Sequence, residues 1–332
     1  MQPDSPTDSK EQTLIAQSCD ASVASARLQT LDTMEQLLIE MDNSQRIDHF
    51  DLFIAEFHRL SAWPSILSNQ DMFLSRDPGC EINLHLLPVA AEAAFCLSLF
   101  DKSKEILRKI LIVRPSFDHA LSLYRQVCEW EAYCEMREVS GGIFAGEEEL
   151  YLQMLGYHHF ESFFQLYTDE ISQLCRLPYF HDYDDWANWL SCKFEDAGEY
   201  MFAITHQSWG VVGQIGLVLE GDSAFFYYWV GEEFQGRGIG TTAARIMLRE
   251  AQSRWGIRTF HAKVFDYNTR SQGLLARLGF MKLNVMAAIP FHDEVHFCKG
   301  SGQNHFSQLQ VLERFYAAIG CPRQLMYTSE HH

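Results

Sequence analysis

The fold is decided by Gln235-Gly236-Arg237-Gly238-Ile239-Gly240, which lies between the aromatic run Ala224–Val230 and the helical pattern Thr241–Trp255. Three glycines let a backbone turn tightly and come close to a ligand. The first amides of a helix have no internal partner and point outward. A glycine-rich turn that opens a helix is therefore an anion site, suited to a pyrophosphate. Other phosphate loops fit less well. A P-loop ends in Gly-Lys-Ser/Thr, but Gly240 is followed by Thr241-Thr242. A GxGxxG dinucleotide fingerprint counted from Gly236 needs glycine where Thr241 stands.

Outward from the loop, Tyr200–Thr205, Gly210–Leu219 and Ala224–Val230 read as strands, with a turn at Glu220-Gly221-Asp222. Thr241–Trp255 reads as a helix stopped by Gly256, Thr259–Phe265 as a strand, and Ser271–Leu278 as a helix ended by Gly279. Strands, helix, strand and helix in this order predict an α+β fold, a layered sheet with helices packed on it. A second motif, Asn268-Thr269-Arg270-Ser271, precedes Gly279-Phe280.

The loop spacing resembles the Q/R-x-x-G-x-G/A acyl-CoA loop of the GNAT acyltransferases. The segment from Asn268 to Phe280 resembles the N-x-x-S…G-F stretch of the same family. Tyr228-Trp229-Val230 is similar to the Rim-type branch, which acetylates protein N-termini. The resemblance covers about Leu150 to Leu283. It implies a GNAT-type mixed sheet with flanking helices that binds acetyl-CoA or another acyl-CoA as co-substrate, with no metal. It also implies an N-acyltransferase acting on a primary amine of a peptide or protein. Cofactor contacts would come from Trp229, Val230, Gln235, Gly236, Arg237, Gly238, Ile239, Gly240, Thr241 and Asn268, with the oxyanion on a backbone amide near Trp229-Val230. Catalytic roles would fall to Ser271, as a hydroxyl donating to the thiolate, and to Asn268. Two positions depart from the family. Leu275 stands where many relatives place the tyrosine that protonates the thiolate. Phe225 stands where many carry a glutamate base. His206, Glu232, Asp266 or a water chain are the alternative bases. Ser271 also stands where a helix opens, so a helix N-cap explains it equally well. Asn268 also reads as a turn residue. Arg237 and Arg270 read as phosphate partners or as solvated surface charge.

The net charge is −18. Residues 1–140 hold 22 acidic and 12 basic side chains, and residues 141–332 hold 22 and 14. A chain acidic in both halves lacks the basic surface that nucleic acid needs. It suits a cationic partner such as an amine or basic peptide, although solubility alone is an equal explanation. The most apolar stretch, around Val211–Val230, is broken by Gln214, Glu220 and Asp222, so no membrane span is expected. Nine cysteines without a CxxC pair, and a polar N-terminus, predict free thiols and a cytoplasmic setting. His292, Asp293, Glu294 and His296 do not have metal-motif spacing. In a strand, His292 and His296 would stand about 13 Å apart.

Residues 1–24 read as a disordered tail, 25–140 as an all-α domain, 150–300 as the acyltransferase domain, and 301–332 as a C-terminal helix and tail. In the second of these, Ala90, Ala91, Ala93 and Ala94 put small residues on one helix. A turn at Leu99-Phe100-Asp101-Lys102 follows, then Ile106, Leu107, Ile110 and Leu111 at helical spacing, and Pro115 stops that helix. This order resembles a tetratricopeptide helix pair, a helical-hairpin unit that would deliver the acceptor. An unrelated helical bundle fits the same pattern. Two further functional readings stand beside the leading one. The chain could be a small-amine acetyltransferase acting on a polyamine or aminoglycoside. It could also be a non-catalytic acyl-CoA sensor.

Overall fold

The computed structural model describes residues 27–34, 36, 37, 40, 50–74, 81–175, 178–195, 198–300, 305–318 and 321–328. The expected tail 1–24 lies outside them. The chain divides into two compact units, one up to Arg125 with Ser208–Gly210 and Gly231–Gln235, the other comprising Gln126–Gln207, Val211–Val230 and the chain from Gly236 onward.

The first unit is helical. After a helical stretch at 27–34 come α1 (Phe50–Arg59), α2 (Trp63–Leu74), α3 (Glu81–Cys96), α4 (Phe100–Val113) and the start of α5 (Asp118–Met136). Ala90, Ala91, Ala93 and Ala94 are all buried. Their small size brings α4 close enough for the buried Ser103 hydroxyl to donate to the Ala91 carbonyl at 2.8 Å. The turn between these helices falls at 97–99, with Ser98 at φ 55°, and Phe100 already belongs to α4. Phe100, Ile106, Leu107 and Ile110 are buried on one face of α4, as the three- and four-residue spacing requires. The segment Gly231–Gln235 joins this unit through Glu233. Arg27 donates to its carboxylate at 2.5 Å and to the Leu60 carbonyl at 2.9 Å, with the guanidinium 5.7 Å from the Phe234 ring. Nothing in residues 231–235 announces that attachment.

The second unit is built on an eight-stranded sheet of order β1-β2-β3-β4-β5-β6-β9-β7. Its strands are β1 (Ile143–Glu147), β2 (Leu150–Met154), β3 (Glu199–His206), β4 (Gly210–Glu220), β5 (Ser223–Val230), β6 (Thr259–Phe265), β7 (Met281–Lys282) and β9 (Glu294–Gly300). A separate pair joins β8 (Val285–Ala287) to β10 (Leu325–Tyr327). Helices α6 (Phe160–Leu166), α7 (Asp169–Cys175) and α8 (Tyr183–Glu195) precede β3, and α9 (Ile239–Trp255) connects β5 to β6. Next come α10 (Thr269–Arg277) and α11 (His305–Ala318). The sheet is mixed: β5 and β6 are parallel, while β4–β5 and β6–β9 are antiparallel. Central strands buried on both faces read as continuous apolar runs, which accounts for Ala224–Val230.

Register places Val218, Phe225, His261 and Cys298 in one row across β4, β5, β6 and β9. Val311, Leu312, Phe315 and Tyr316 of α11 pack on that row. His261 and His296 lie buried beneath α11. The His261 ring is 5.8 Å from Phe315, and His296 Nε2 is 2.9 Å from the Tyr316 hydroxyl. Neither ring nitrogen of His261 has a hydrogen-bond partner among the described residues. Burial pulls both imidazoles down to about 4; the neighbouring His296 ring adds to this at His261, and the Glu294 carboxylate opposes it at His296.

Both histidines are therefore neutral in the fold and titrate near 6.5 once unfolded. The unfolded chain binds more protons as pH falls from about 6.5 toward 4, so stability is lost across that window, on the order of a few kcal/mol between them. Thermal denaturation followed from pH 7.5 to 5 checks this. The melting temperature should fall steeply for the natural chain and more gently for His261→Leu, which also removes a buried donor lacking a partner.

Candidate active site

The site begins where β5 and β6 part. Their register runs from Ser223↔Thr259 to Phe226↔Ala262 and stops, although both strands continue. Tyr227–Val230 thus faces a gap where a neighbouring strand would otherwise pair. The Tyr228 carbonyl accepts a weak hydrogen bond from the Cys175 thiol of α7 at 3.9 Å. Desolvation pushes this thiol up to about 12, so it stays protonated and can donate. Backbone direction alternates along a strand. With the Tyr228 carbonyl on the gap side, the backbone of Val230 shares that side and that of Trp229 turns to β4. Of the expected oxyanion pair, Val230 is the residue whose amide points toward the gap.

The glycine loop follows. A short 3-10 turn at Glu232–Phe234 is closed by the Gln235 amide donating to the Glu232 carbonyl. Gly236 and Gly238 then take φ of +76° and +83°, the left-handed region that side chains disfavour. A methyl added at either would meet nothing within 4 Å, so the space over the loop is open. Helix α9 starts at Ile239, two residues before the sequence pattern predicts. The amides of Thr241 and Thr242 both donate to the Gly238 carbonyl at 3.0 Å. The amides of Gly238, Ile239 and Gly240 make no hydrogen bond among the described residues. They coincide with the positive end of a 17-residue helix. The loop therefore has the features of an anion cradle. The Thr241 amide is used inside the helix, which leaves only its hydroxyl for a ligand.

The second motif lies on α10, which also starts earlier than expected. Asn268 is its N-cap, and the Asn268 side-chain oxygen accepts from the Ser271 amide at 3.1 Å. Ser271 is thus the third residue of the helix, and its hydroxyl is not needed as a cap. That hydroxyl is 3.2 Å from the Tyr228 hydroxyl. Gln272 secures the turn before the helix by donating to the carbonyls of Phe265 and Asp266. Gly279, at φ +83°, ends it, and the Phe280 ring then stacks on Phe226 at 6.1 Å. Leu275 is buried in apolar surroundings.

The side chains of β5 alternate between two environments. Phe225 packs on Phe315 and Tyr316. Trp229 meets Phe163 and Tyr167, and its indole donates to the buried Gln214 Oε1 at 2.9 Å. The Tyr227 hydroxyl donates to the buried Glu199 carboxylate at 2.7 Å, and Lys193 pairs with the other oxygen at 2.9 Å. This geometry requires Gly216, because a methyl there would strike the Tyr227 ring at 2.4 Å. Of the bases weighed from sequence, His206 lies 3.4 Å from Glu149, and burial lowers its pKa and favours the neutral ring. Asp266 is exposed at the end of β6. Glu232 sits in the 3-10 turn of the first unit. His292 precedes β9 while His296 lies within it. No group of three or more metal-binding side chains occurs among the described residues. Sequence reasoning missed Glu199 and Cys175, and it quoted Tyr228 and Gln214 without giving either a role at the site. The alternation of β5 carried a usable signal, since it sets Tyr228 on the face opposite Tyr227 and Trp229.

Residues 149–281 match the acetyltransferase (GNAT) domain family. Solved structures are similar to part of the chain at low identity. The microcin C7 self-immunity acetyltransferase MccE, in complex with acetyl-CoA and AMP, is 19% identical over 47% of this chain and 94% of its own, with a TM-score of 0.43. An acetyltransferase from Salmonella typhimurium that modifies the N-terminal serine of ribosomal protein L7/L12 is 20% identical over 48% and 99%, with a TM-score of 0.44. The ribosomal-protein-S5-alanine acetyltransferase from Vibrio fischeri is 14% identical over 47% and 95%, with a TM-score of 0.41. No curated protein matches the chain. Loop, strand gap and family match agree, and residues 149–281 are a GNAT acetyltransferase domain.

Proposed function

We propose that the chain transfers an acetyl group from acetyl-CoA to a primary amine of a peptide or protein, in a reducing, cytoplasmic setting. The observation that carries this reading is the set of unpartnered amides at Gly238, Ile239 and Gly240, next to the gap between β5 and β6. The amides and the helix dipole supply the attraction for a pyrophosphate. Gly236, Arg237 and the Thr241 hydroxyl complete the loop that receives it. The gap takes the extended arm, with Asn268 fixing the wall at the start of α10. A backbone amide near Trp229-Val230 polarises the thioester carbonyl, where preorganised donors are worth most.

The acceptor amine attacks in its neutral form, so a base or water must take its proton. Neutral His206 suits that role chemically. Ser271 donates to the sulfur as the carbon–sulfur bond breaks. The similarity of Tyr228-Trp229-Val230 to the Rim-type branch favours a peptide α-amine, and the net charge of −18 suits a cationic acceptor. We assign acceptor recognition to the helical unit, where Ile112 is 80% and Val113 63% exposed at the end of α4.

Calorimetry with acetyl-CoA, followed by CoA release with a panel of N-terminal peptides, tests the reading. Binding without turnover on any peptide would overturn the transferase assignment. Gly238→Ala should weaken acetyl-CoA binding by about tenfold or more, since the left-handed turn is strained by a side chain. Gly221→Ala imposes a similar strain at φ +61° on the β4–β5 turn and should leave binding unchanged. Ser271→Ala should lower kcat by roughly 10- to 100-fold at unchanged acetyl-CoA affinity. Because Asn268 is the cap, Asn268→Ala rather than Ser271→Ala should cost about 1 kcal/mol of stability in chemical denaturation.

A further inference from the structure

We propose that Tyr228 is a positioning residue whose phenol orients the Ser271 hydroxyl, so that the serine proton is left to the departing sulfur. The inference rests on the acyl-CoA reading above.

Tyr228 is the β5 residue whose carbonyl lies on the gap side, just beyond the last pairing with β6. Alternation sends its side chain away from Tyr227 and Trp229. Its ring is fixed from two sides. It stacks on Phe226 at 5.6 Å, nearly parallel. Opposite is the glycine loop, where a methyl on Gly240 would come within 3.1 Å of the ring. The hydroxyl then lies 3.2 Å from Ser271 Oγ. One side chain thus touches both motifs that the sequence brought forward.

The hydrogen-bond direction follows from acidity. A phenol is a better donor than an aliphatic alcohol, so Tyr228 donates and Ser271 accepts. An accepting hydroxyl also becomes a stronger donor. The Ser271 amide is already committed to Asn268, so the serine hydroxyl proton is the one group of this pair left to donate. Desolvation raises the phenol above its ordinary value, which keeps it protonated. Cys175 of α7, Ser271 of α10 and Arg277 at the end of α10 are the titratable or polar neighbours. In the transfer, the amine nitrogen bonds to the thioester carbon and the carbon–sulfur bond breaks with its electron pair on sulfur. Sulfur takes the Ser271 proton, Ser271 recovers one from Tyr228, and Tyr228 regains one from water. The proton lost by the amine returns to water, which closes the balance. Tyr228 does the work of holding and recharging the donor that Leu275 cannot do.

The test uses free CoA bound to the full chain, with the ultraviolet absorbance of its thiolate followed against pH. It needs no acceptor. Variants are Tyr228→Phe, which keeps the ring, Ser271→Ala, and the two combined. The bound thiol should titrate at lower pH than free CoA. Tyr228→Phe should move that midpoint upward by about half a unit to one unit and lower kcat by about five- to tenfold, with the acetyl-CoA KM within about twofold. In the Ser271→Ala background, Tyr228→Phe should change neither quantity, because the effect passes through the serine. An unchanged midpoint in Tyr228→Phe overturns the inference, as does an equal shift in the Ser271→Ala background. Calorimetry run first separates the two failures: a chain that does not bind CoA overturns the acyl-CoA reading and this inference with it. A chain that binds CoA and shows additive variants overturns this inference alone.

Discussion

The early parting of β5 and β6 is the constraint on which the rest depends. Four residue pairs hold the strands together, and then each continues without the other. Backbone polar groups left facing such a gap must find partners or solvent. Here a cysteine thiol from α7 meets one carbonyl. The same divergence puts the open amides of α9 at one end of the gap and the start of α10 along its side. A sheet paired to the ends of both strands would have no such gap.

The alternation of side chains along β5 then separates two tasks. Tyr227 and Trp229 face Glu199, Gln214 and the aromatics of α6, so that face is a polar network sealed by rings. Tyr228 faces the opposite way, toward Gly240 and Ser271. Neighbouring residues in a single strand can serve separate chemistry because a strand turns successive side chains through half a circle. Gly216 shows how tightly the arrangement is specified, since its lack of a side chain is what lets the Tyr227 ring cross β4 toward Glu199.

The C-terminal segment belongs to the same construction. Helix α11 covers the row that runs from Val218 through Phe225 and His261 to Cys298. Phe225 is the position at which the family resemblance expected a carboxylate, and here it is part of that apolar seal. Strand β10 pairs with β8, so residues 325–327 are held to the second unit by backbone hydrogen bonds.

Local signals were enough for the loop, the β5 and β6 strands and the helices after them, because glycine conformation and residue periodicity are short-range effects. They also gave the small-residue face of α3, whose packing needs only one neighbouring helix. Helix starts were misplaced by two residues at α9 and α10, since a cap is set by which side chain reaches which amide, and Asn268 won that role from Ser271. The resemblance of the Gln235–Gly240 and Asn268–Phe280 motifs to a known family pointed to the acetyltransferase domain. Only tertiary structure decided that Tyr228 would meet Ser271, that Glu199 would sit under Tyr227, and that Gly231–Gln235 would join the helical unit through Arg27. Those contacts join residues 28 to 206 positions apart, and sequence periodicity carries no information about pairs that only strand register and helix packing bring together.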